Sequence, residues 1–228
     1  MLKGKENEEE RLFMLKVRAV LALNGSLKKS KEEYSRIIEG KNVRYIAADG
    51  GAVLLEELGH YPDVIIGDFD SLTEEQFQFF QKKGSEIIRY PQEKDETDGE
   101  LALKYCKEKG WKEIIIIGFE GGRLDQQLTN IFLLEYAYKN GIKALFKEPG
   151  LEMGLVDRKK VFLRKRGAII SLIPLDEVVK GVSISGCRYS LNSDPLFRYK
   201  SRGISNIIEQ EKAIITADQG QLLYIIYY

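Results

Sequence analysis

From Val17 to Lys147 the chain alternates short, nearly continuous apolar runs with helix-length amphipathic ones, and that alternation leaves few architectures open. The apolar runs are Val17 to Leu23, Val43 to Ala48, Val64 to Ile66, Glu86 to Tyr90, Glu113 to Gly118 and Ile142 to Phe146. They are rich in β-branched residues and do not alternate with polar ones, the signature of strands covered on both faces. Between them lie five segments suited to helices: Lys31 to Glu39, Ala52 to Leu58, Thr73 to Lys83, Thr97 to Lys109 and Asp125 to Lys139, the last stopped by Asn140-Gly141. Six strands interleaved with five helices predict an α/β fold, a doubly wound, mainly parallel sheet. After Pro149-Gly150 the pattern changes to short β-rich stretches separated by turn residues, with no helix-length run. That segment predicts a small antiparallel, all-β sandwich or barrel. The expected organisation is a charged tail over residues 1–13, an α/β domain over 14–150 and a β-sandwich domain over 151–228, with Met14 a possible translation start.

Charge narrows the partners. The 228 residues carry 35 Lys plus Arg against 35 Asp plus Glu, a net charge of zero. Neither nucleic acid nor an anionic membrane surface is expected as the main partner, since both call for a basic excess. No apolar run reaches the roughly 18 residues of a membrane span, so a cytoplasmic protein is expected. Cys106 and Cys187 lie far apart without a CxxC, and His60 is the one histidine, which argues against thiolate zinc sites, disulfide scaffolds and histidine triads. His60 reads as a loop residue and Trp111 as a packing residue.

The aspartates carry the functional signal. Asp49, the pair Asp68 and Asp70, the pair Asp95 and Asp98, and Asp125 each follow a predicted strand. In an open parallel sheet the carboxyl ends of the strands share one edge, where ligands bind, so these acids converge. Clustered carboxylates repel, and the usual compensation is a hard divalent cation that also holds phosphate oxygens. In GDFDSL, Asp68 and Asp70 are two apart in a segment expected to be extended, which turns both to one side and Phe69 to the other. The same residues also suit a turn and the N-cap of the helix at Thr73. In EKDETDGELAL, Thr97 and Glu100 have capping-box spacing, Asp95 and Asp98 exceed what a cap needs, and Lys94 beside them could meet a phosphate. In GFEGGRLDQQLTNI, a glycine-rich turn puts Arg123 at a helix N-terminus, a polyphosphate cradle or simply a tight turn. Neither G-x-x-x-x-G-K-[ST] nor G-x-G-x-x-G occurs, which argues against Walker-type kinases and standard dinucleotide binders.

These segments, in this order, resemble the thiamine pyrophosphokinase family: ADGGAVLL (Ala48 to Leu55), PDVIIGDFDSL (Pro62 to Leu72), EKDETDGELAL (Glu93 to Leu103), GGRLDQQLTNI (Gly121 to Ile131), and, toward the C-terminus, SLIPL, GVSISGCRYSL and GISN. The resemblance spans Met14 to Tyr228. It implies a homodimeric enzyme that transfers pyrophosphate from ATP to thiamine, giving thiamine diphosphate and AMP with magnesium (Mg2+). Carried over by motif, Asp68, Asp70 and Asp98 would hold the metal, and Asp70, Asp98 and Arg123 would serve catalysis. Asn24, Asp49, Gly50, Lys94, Asp95, Thr97 and Arg123 would line the nucleotide site. Asp49, Asp125, Gln126, Ser205 and Asn206 would meet thiamine. Two positions depart from many bacterial members: Val53 stands where Asn is common, and Gln126 where His is, which removes an imidazole acid or base there. No aromatic residue closely follows GISN to stack on thiamine. A metal-dependent nucleotide-sugar transferase uses a similar D-x-D, and a non-catalytic nucleotide sensor would keep the same acids.

Overall fold

The computed structural model describes residues 19–121 and 123–228; the expected tail, the Met14 start, the first two residues of the first strand and Gly122 lie outside them. The chain divides into two compact units between Pro149 and Gly150.

The first unit is built on six strands: β1 (Ala19–Ala22), β2 (Arg44–Ala48), β3 (Val64–Gly67), β4 (Glu86–Arg89), β5 (Glu113–Ile117) and β6 (Lys143–Glu148). They lie in the order β6-β5-β1-β2-β3-β4, every neighbouring pair parallel. Five helices connect them: α1 (Lys31–Ile38), α2 (Gly51–Glu57), α3 (Glu74–Lys82), α4 (Asp98–Glu108) and α5 (Leu124–Lys139). Side-chain alternation along β1 explains the two layers. Val20 and Ala22 join Tyr34 and Ile38 of α1, Ala52 and Leu55 of α2 and Phe80 of α3 in one core. The chain then crosses back from β4 to β5 through α4, which packs on β1, β2 and β3 and on α5. Both faces of β1, β3 and β5 are covered, hence their unbroken apolar sequences. The edge strand β4 is only half-buried.

Strand order reverses between β1 and β5, which opens a crevice where their following loops diverge. Those loops, residues 23–30 and 118–123, remain interlocked near the sheet. Leu23 N–H bonds Ile117 C=O at 2.9 Å and Ser26 N–H bonds Glu120 C=O at 3.0 Å. A Cβ on Gly25 would lie 2.1 Å from the Gly118 carbonyl oxygen, so that contact requires glycine.

The second unit holds two antiparallel sheets. One has the order β12 (Asn206–Ile207), β9 (Ile169–Pro174), β14 (Leu222–Tyr227), β7 (Leu151–Leu155). The other has the order β11 (Leu191–Phe197), β10 (Val178–Ser185), β13 (Lys212–Thr216), β8 (Lys159–Leu163). Phe162 of β8 meets Tyr224 of β14 edge to face at 5.2 Å, so the sheets pack as a sandwich. The C-terminal run LLYIIY is the internal strand β14, with Leu222, Leu223, Tyr224 and Ile226 buried. Strand β11 was not legible in the sequence: LNSDPLF contains a proline and alternates poorly, which an edge strand tolerates because one side of its ladder is free.

His60 lies in a loop and Trp111 in a packing contact, as the sequence suggests. His60 leaves a turn but stacks on Tyr45, rings 4.5 Å apart, and burial lowers its pKa. Trp111 meets Tyr105 edge-on. Cys106 is buried, whereas Cys187 is only half-buried.

Gly51 shows how tightly α2 is seated on the sheet: a Cβ there would lie 2.1 Å from the carbonyl oxygen of Ala22, a backbone atom that cannot move independently. Gly51→Ala is expected to lower stability by about 2–3 kcal/mol, the scale of core overpacking, read as a shift in the urea unfolding midpoint.

Candidate active site

The carboxyl edge of β2, β3 and the β4–α4 connection gathers four of the six aspartates singled out above. Asp49 follows β2, is 5% exposed, adopts a left-handed backbone (φ 46°) and donates its N–H to Ile66 at 2.9 Å. Asp68 and Asp70 follow β3. Oxygens of Asp49, Asp68 and Asp70 lie within 4.8 Å of one another, close enough to share one cation. Asp98 opens α4 and stands beside them: a Cβ on Gly67 would sit 3.1 Å from the Asp49 Cβ and 3.3 Å from the Asp98 carboxyl carbon. Gly67 thus leaves the space into which the two acids fit.

The sequence places Asp68, Asp70 and Asp98 together as the metal set; the geometric trio has Asp49 in place of Asp98. Asp98 is instead ion-paired at 3.0 Å with Lys94, four residues earlier in the loop before α4, and Lys94 also faces Asp68 at 3.9 Å. Lys94 is therefore an internal counter-ion of the acid cluster, with 11% of its side chain exposed. Burial pushes the carboxyls of Asp49 and Asp98 above the ordinary range. Ser71 and the Gly50 amide oppose that shift at Asp49, Lys94 opposes it at Asp98, and neighbouring acids reinforce both. One oxygen of Asp49, Oδ1, is buried with no hydrogen-bond partner. An orphaned carboxylate oxygen facing two further carboxylates is a donor set that fits a hard divalent cation.

The way Asp68 and Asp70 come together differs from the expectation. The segment is not extended: Phe69 between them has φ 66°, a conformation costly for a bulky residue, of order 1–3 kcal/mol. Its ring is held in compensation. Phe69 is buried, packs edge-on against Phe77 at 5.5 Å and lies under the Arg89 guanidinium at 4.9 Å. The kink brings Asp70 N–H to Asp68 Oδ1 at 3.2 Å and Ser71 Oγ to Asp70 Oδ1 at 3.2 Å. Asn24, from the loop after β1, donates its amide to Ser71 Oγ at 3.1 Å. A Cβ on Gly50 would lie 2.3 Å from the Asn24 amide oxygen, so Gly50 gives Asn24 its place.

The remaining sequence-selected residues lie apart from this cluster in their contacts. Arg123 and Asp125 pair with each other through both carboxylate oxygens, and both side chains are exposed. Asp125 also accepts the Gln126 N–H at 3.0 Å. Asp95 is exposed. Thr97 caps α4 by accepting the Glu100 N–H at 3.3 Å; the reciprocal half of a capping box is absent among the described hydrogen bonds.

In the second unit Ser205 is exposed with φ 57°, and its N–H bonds Ser171 Oγ at 3.0 Å. Asn206 is buried, and its amide clamps Tyr189: Oδ1 accepts the Tyr189 N–H at 3.0 Å and Nδ2 donates to the Tyr189 carbonyl at 2.7 Å. The Tyr189 ring itself is 65% exposed. The backbone that carries an exposed aromatic residue is therefore held beside GISN, although it precedes that motif by more than a dozen residues. The antiparallel pairing of Arg188 and Cys187 with Ile207 and Ile208 joins the two segments, a link that linear spacing does not reveal.

Comparison with known proteins agrees with this architecture. Residues 35–146 match the thiamin pyrophosphokinase catalytic domain, and residues 158–222 match the vitamin B1 binding domain of the same enzymes. Thiamine pyrophosphokinase of Bacillus subtilis is 32% identical over 183 residues, covering 79% of this chain and 86% of the relative. The crystal structure of thiamine pyrophosphokinase from Bacillus subtilis superposes with a TM-score of 0.81 at 26% identity, over 92% of this chain and 98% of that one. The yeast enzyme shares the fold, with a TM-score of 0.78 at 17% identity over 92% and 86% of the two chains. The chain belongs to the thiamin pyrophosphokinase family. None of these relatives supports a nucleotide-sugar transferase or a non-catalytic sensor.

The buried charge at Asp49 has a measurable cost. A carboxyl whose folded pKa is raised keeps its proton where the unfolded chain has lost it, so its contribution to stability is lost as pH rises through that window. Asp49→Asn is expected to raise stability by about 0.5–2 kcal/mol at pH 8 and to change it little near pH 3.5, where both states are largely protonated. Urea unfolding at the two pH values checks this.

Proposed function

We propose that this protein transfers the pyrophosphoryl group of ATP to the hydroxyl of thiamine, releasing AMP and thiamine diphosphate. The observation that carries the reading is the gathering of Asp49, Asp68 and Asp70 at the carboxyl edge of the parallel sheet in a member of this family. These three would hold magnesium, with Asp98 and Lys94 completing the charged floor of the site. Bound there, magnesium would neutralise phosphate oxygens and the charge that develops as AMP departs.

The chain's own residues then have to position and balance charge, because in-line displacement at phosphorus asks little covalent work of a protein. Asn24 and Ser71, bonded to each other, offer polar groups to the nucleotide at the mouth of the cluster. Gly50, Asp95 and Thr97 border the same edge. Arg123 would exchange its exposed partner Asp125 for phosphate oxygens, an exchange that costs little because solvent screens a surface ion pair. Asp125, released from Arg123, would then offset the cationic thiazolium together with Gln126. By family resemblance Ser205 and Asn206 would meet thiamine at the subunit interface, and the Tyr189 side chain, whose backbone Asn206 holds, would add an aromatic contact to it. Family resemblance supports action as a homodimer in the cytoplasm, and among the described residues no helix is long and apolar enough to cross a membrane.

Incubation with ATP, magnesium and thiamine, followed by phosphorus NMR, tests the reaction: AMP and thiamine diphosphate are expected, whereas ADP with thiamine monophosphate would mean single phosphoryl transfer. Asp70→Asn is expected to lower turnover by roughly 10² or more, the scale of losing one charge-stabilising group, with circular dichroism unchanged. Tyr189→Ala is expected to raise KM for thiamine by about tenfold, the scale of one lost stacking contact, leaving KM for ATP near its starting value.

A further inference from the structure

One buried acid lies outside the chemistry described above. Glu148 ends β6, beside β5, and is 3% exposed. Its Oε1 accepts the N–H of Gly118 at 2.7 Å, and its second oxygen is buried without a well-formed hydrogen bond. Tyr34 of α1, itself fully buried, brings its hydroxyl near the same carboxylate and near the Lys28 backbone, and that hydroxyl has no hydrogen-bond partner. The Gly118 amide begins the glycine-rich turn that leads to Arg123, while Lys28 belongs to the loop that carries Asn24. Glu148 therefore holds the turn at Gly118 directly and the Asn24 loop through it, because the two loops interlock through Ser26 and Glu120 at the strand-order reversal. The groups facing it are Tyr34 from α1, Glu120 from the β5–α5 loop, and the Gly118 and Phe119 amides. A purely structural acceptor for one N–H would not need a charge: a glutamine carbonyl would serve, without the cost of burying a carboxylate.

We propose that Glu148 is a positioning residue of the nucleotide site, whose ionised carboxylate pins the two loops flanking the crevice and so couples nucleotide affinity to pH. The inference rests on the reading that ATP occupies that crevice. Ionised, the carboxylate makes a charge-assisted bond to the Gly118 amide, roughly twice as strong as a neutral one, and favours the neighbouring Tyr34 hydroxyl turning its proton inward. Protonated, it turns one acceptor oxygen into a donor, and the hold on the loops relaxes. Burial pushes this carboxyl up to about 7, with Glu120 adding to the shift and Tyr34 and the two amides opposing it. The transition therefore falls near neutrality. Affinity is lost as pH falls through about 7. Stability moves the opposite way: relative to an ordinary 4.5, the raised value stabilises the fold at low pH and loses that contribution as pH rises from about 4.5 to about 7.

The test is ATP titration by calorimetry in saturating magnesium from pH 6 to 8.5, on the unaltered protein, Glu148→Gln and Tyr34→Phe. The Kd of the unaltered protein is expected to fall between pH 6 and 8 by at least threefold more than that of Glu148→Gln. The Gln variant is also expected to unfold at higher urea than the unaltered protein at pH 8 and to lose that advantage near pH 4. Parallel Kd profiles, with both proteins folded by circular dichroism, would overturn the proposal. Should Glu148→Gln fail to fold, Tyr34→Phe decides: it removes a donor that favours ionisation, so the midpoint of the Kd profile moves to higher pH, and an unmoved midpoint overturns the proposal. Absence of ATP binding by the unaltered protein at any pH would instead sink the reading of the crevice as a nucleotide site. ATP binding without thiamine diphosphate formation would sink the reaction and leave Glu148 to be judged on its Kd profile.

Discussion

Mutual repulsion among carboxylates is the constraint around which the first unit is arranged. Asp49, Asp68, Asp70 and Asp98 would separate in a free chain, yet the sheet edge forces them together, with Asp49, Asp68 and Asp98 partly out of water and Asp70 exposed beside them. The fold tolerates this through local devices: Lys94 between Asp68 and Asp98, Ser71 bridging Asp70 and Asn24, and Gly67 leaving room between the Asp49 and Asp98 side chains. The compensation is incomplete, as the orphaned Asp49 oxygen shows. A site left short of positive charge is prepared for a cation, at a cost in stability that the large apolar core of β1, β3 and β5 can absorb.

Strain and packing are linked at the same edge. The left-handed backbone at Phe69 would relax if its ring were free, and Phe77 and Arg89 keep it in place. Carboxylate geometry at Asp68 and Asp70 thus depends on an aromatic contact made on the far side of the loop. The second unit uses the same logic without charge. Asn206 spends its amide on the Tyr189 backbone, which holds the chain there and leaves the Tyr189 side chain exposed.

Much of the first unit was legible in the sequence because its strands are buried on both faces, and continuous β-branched runs have few other uses. Where burial is one-sided or absent, the signal fades. Edge strand β11, with Asp194 and Pro195 in its span, has no periodicity to read. The β4 run was read correctly because Ile87 and Ile88 remain apolar even at an edge. The gathering of Asp49, Asp68, Asp70 and Asp98 is legible in the sequence because each follows a strand. Asp95 and Asp125 follow strands too, but in this structure they are exposed, and Asp125 is engaged by Arg123. Tyr189 lies within GVSISGCRYSL, but its link to GISN comes from antiparallel pairing, and Glu148 stands at no motif, its place set by lateral strand contact; neither relation is local in sequence.

The sequence by itself determined the two-part architecture, the parallel sheet with its acidic carboxyl edge and the family, because hydrophobic periodicity and strand-end chemistry are local properties written along the chain. Tertiary structure alone decided which acids share one point in space, that Lys94 neutralises them from within, that Phe69 reaches its place through a left-handed backbone, and that Glu148 holds a turn far from it in sequence. Those outcomes depend on through-space distances and on burial, which set the strength of electrostatics. Neither can be read from the order of residues.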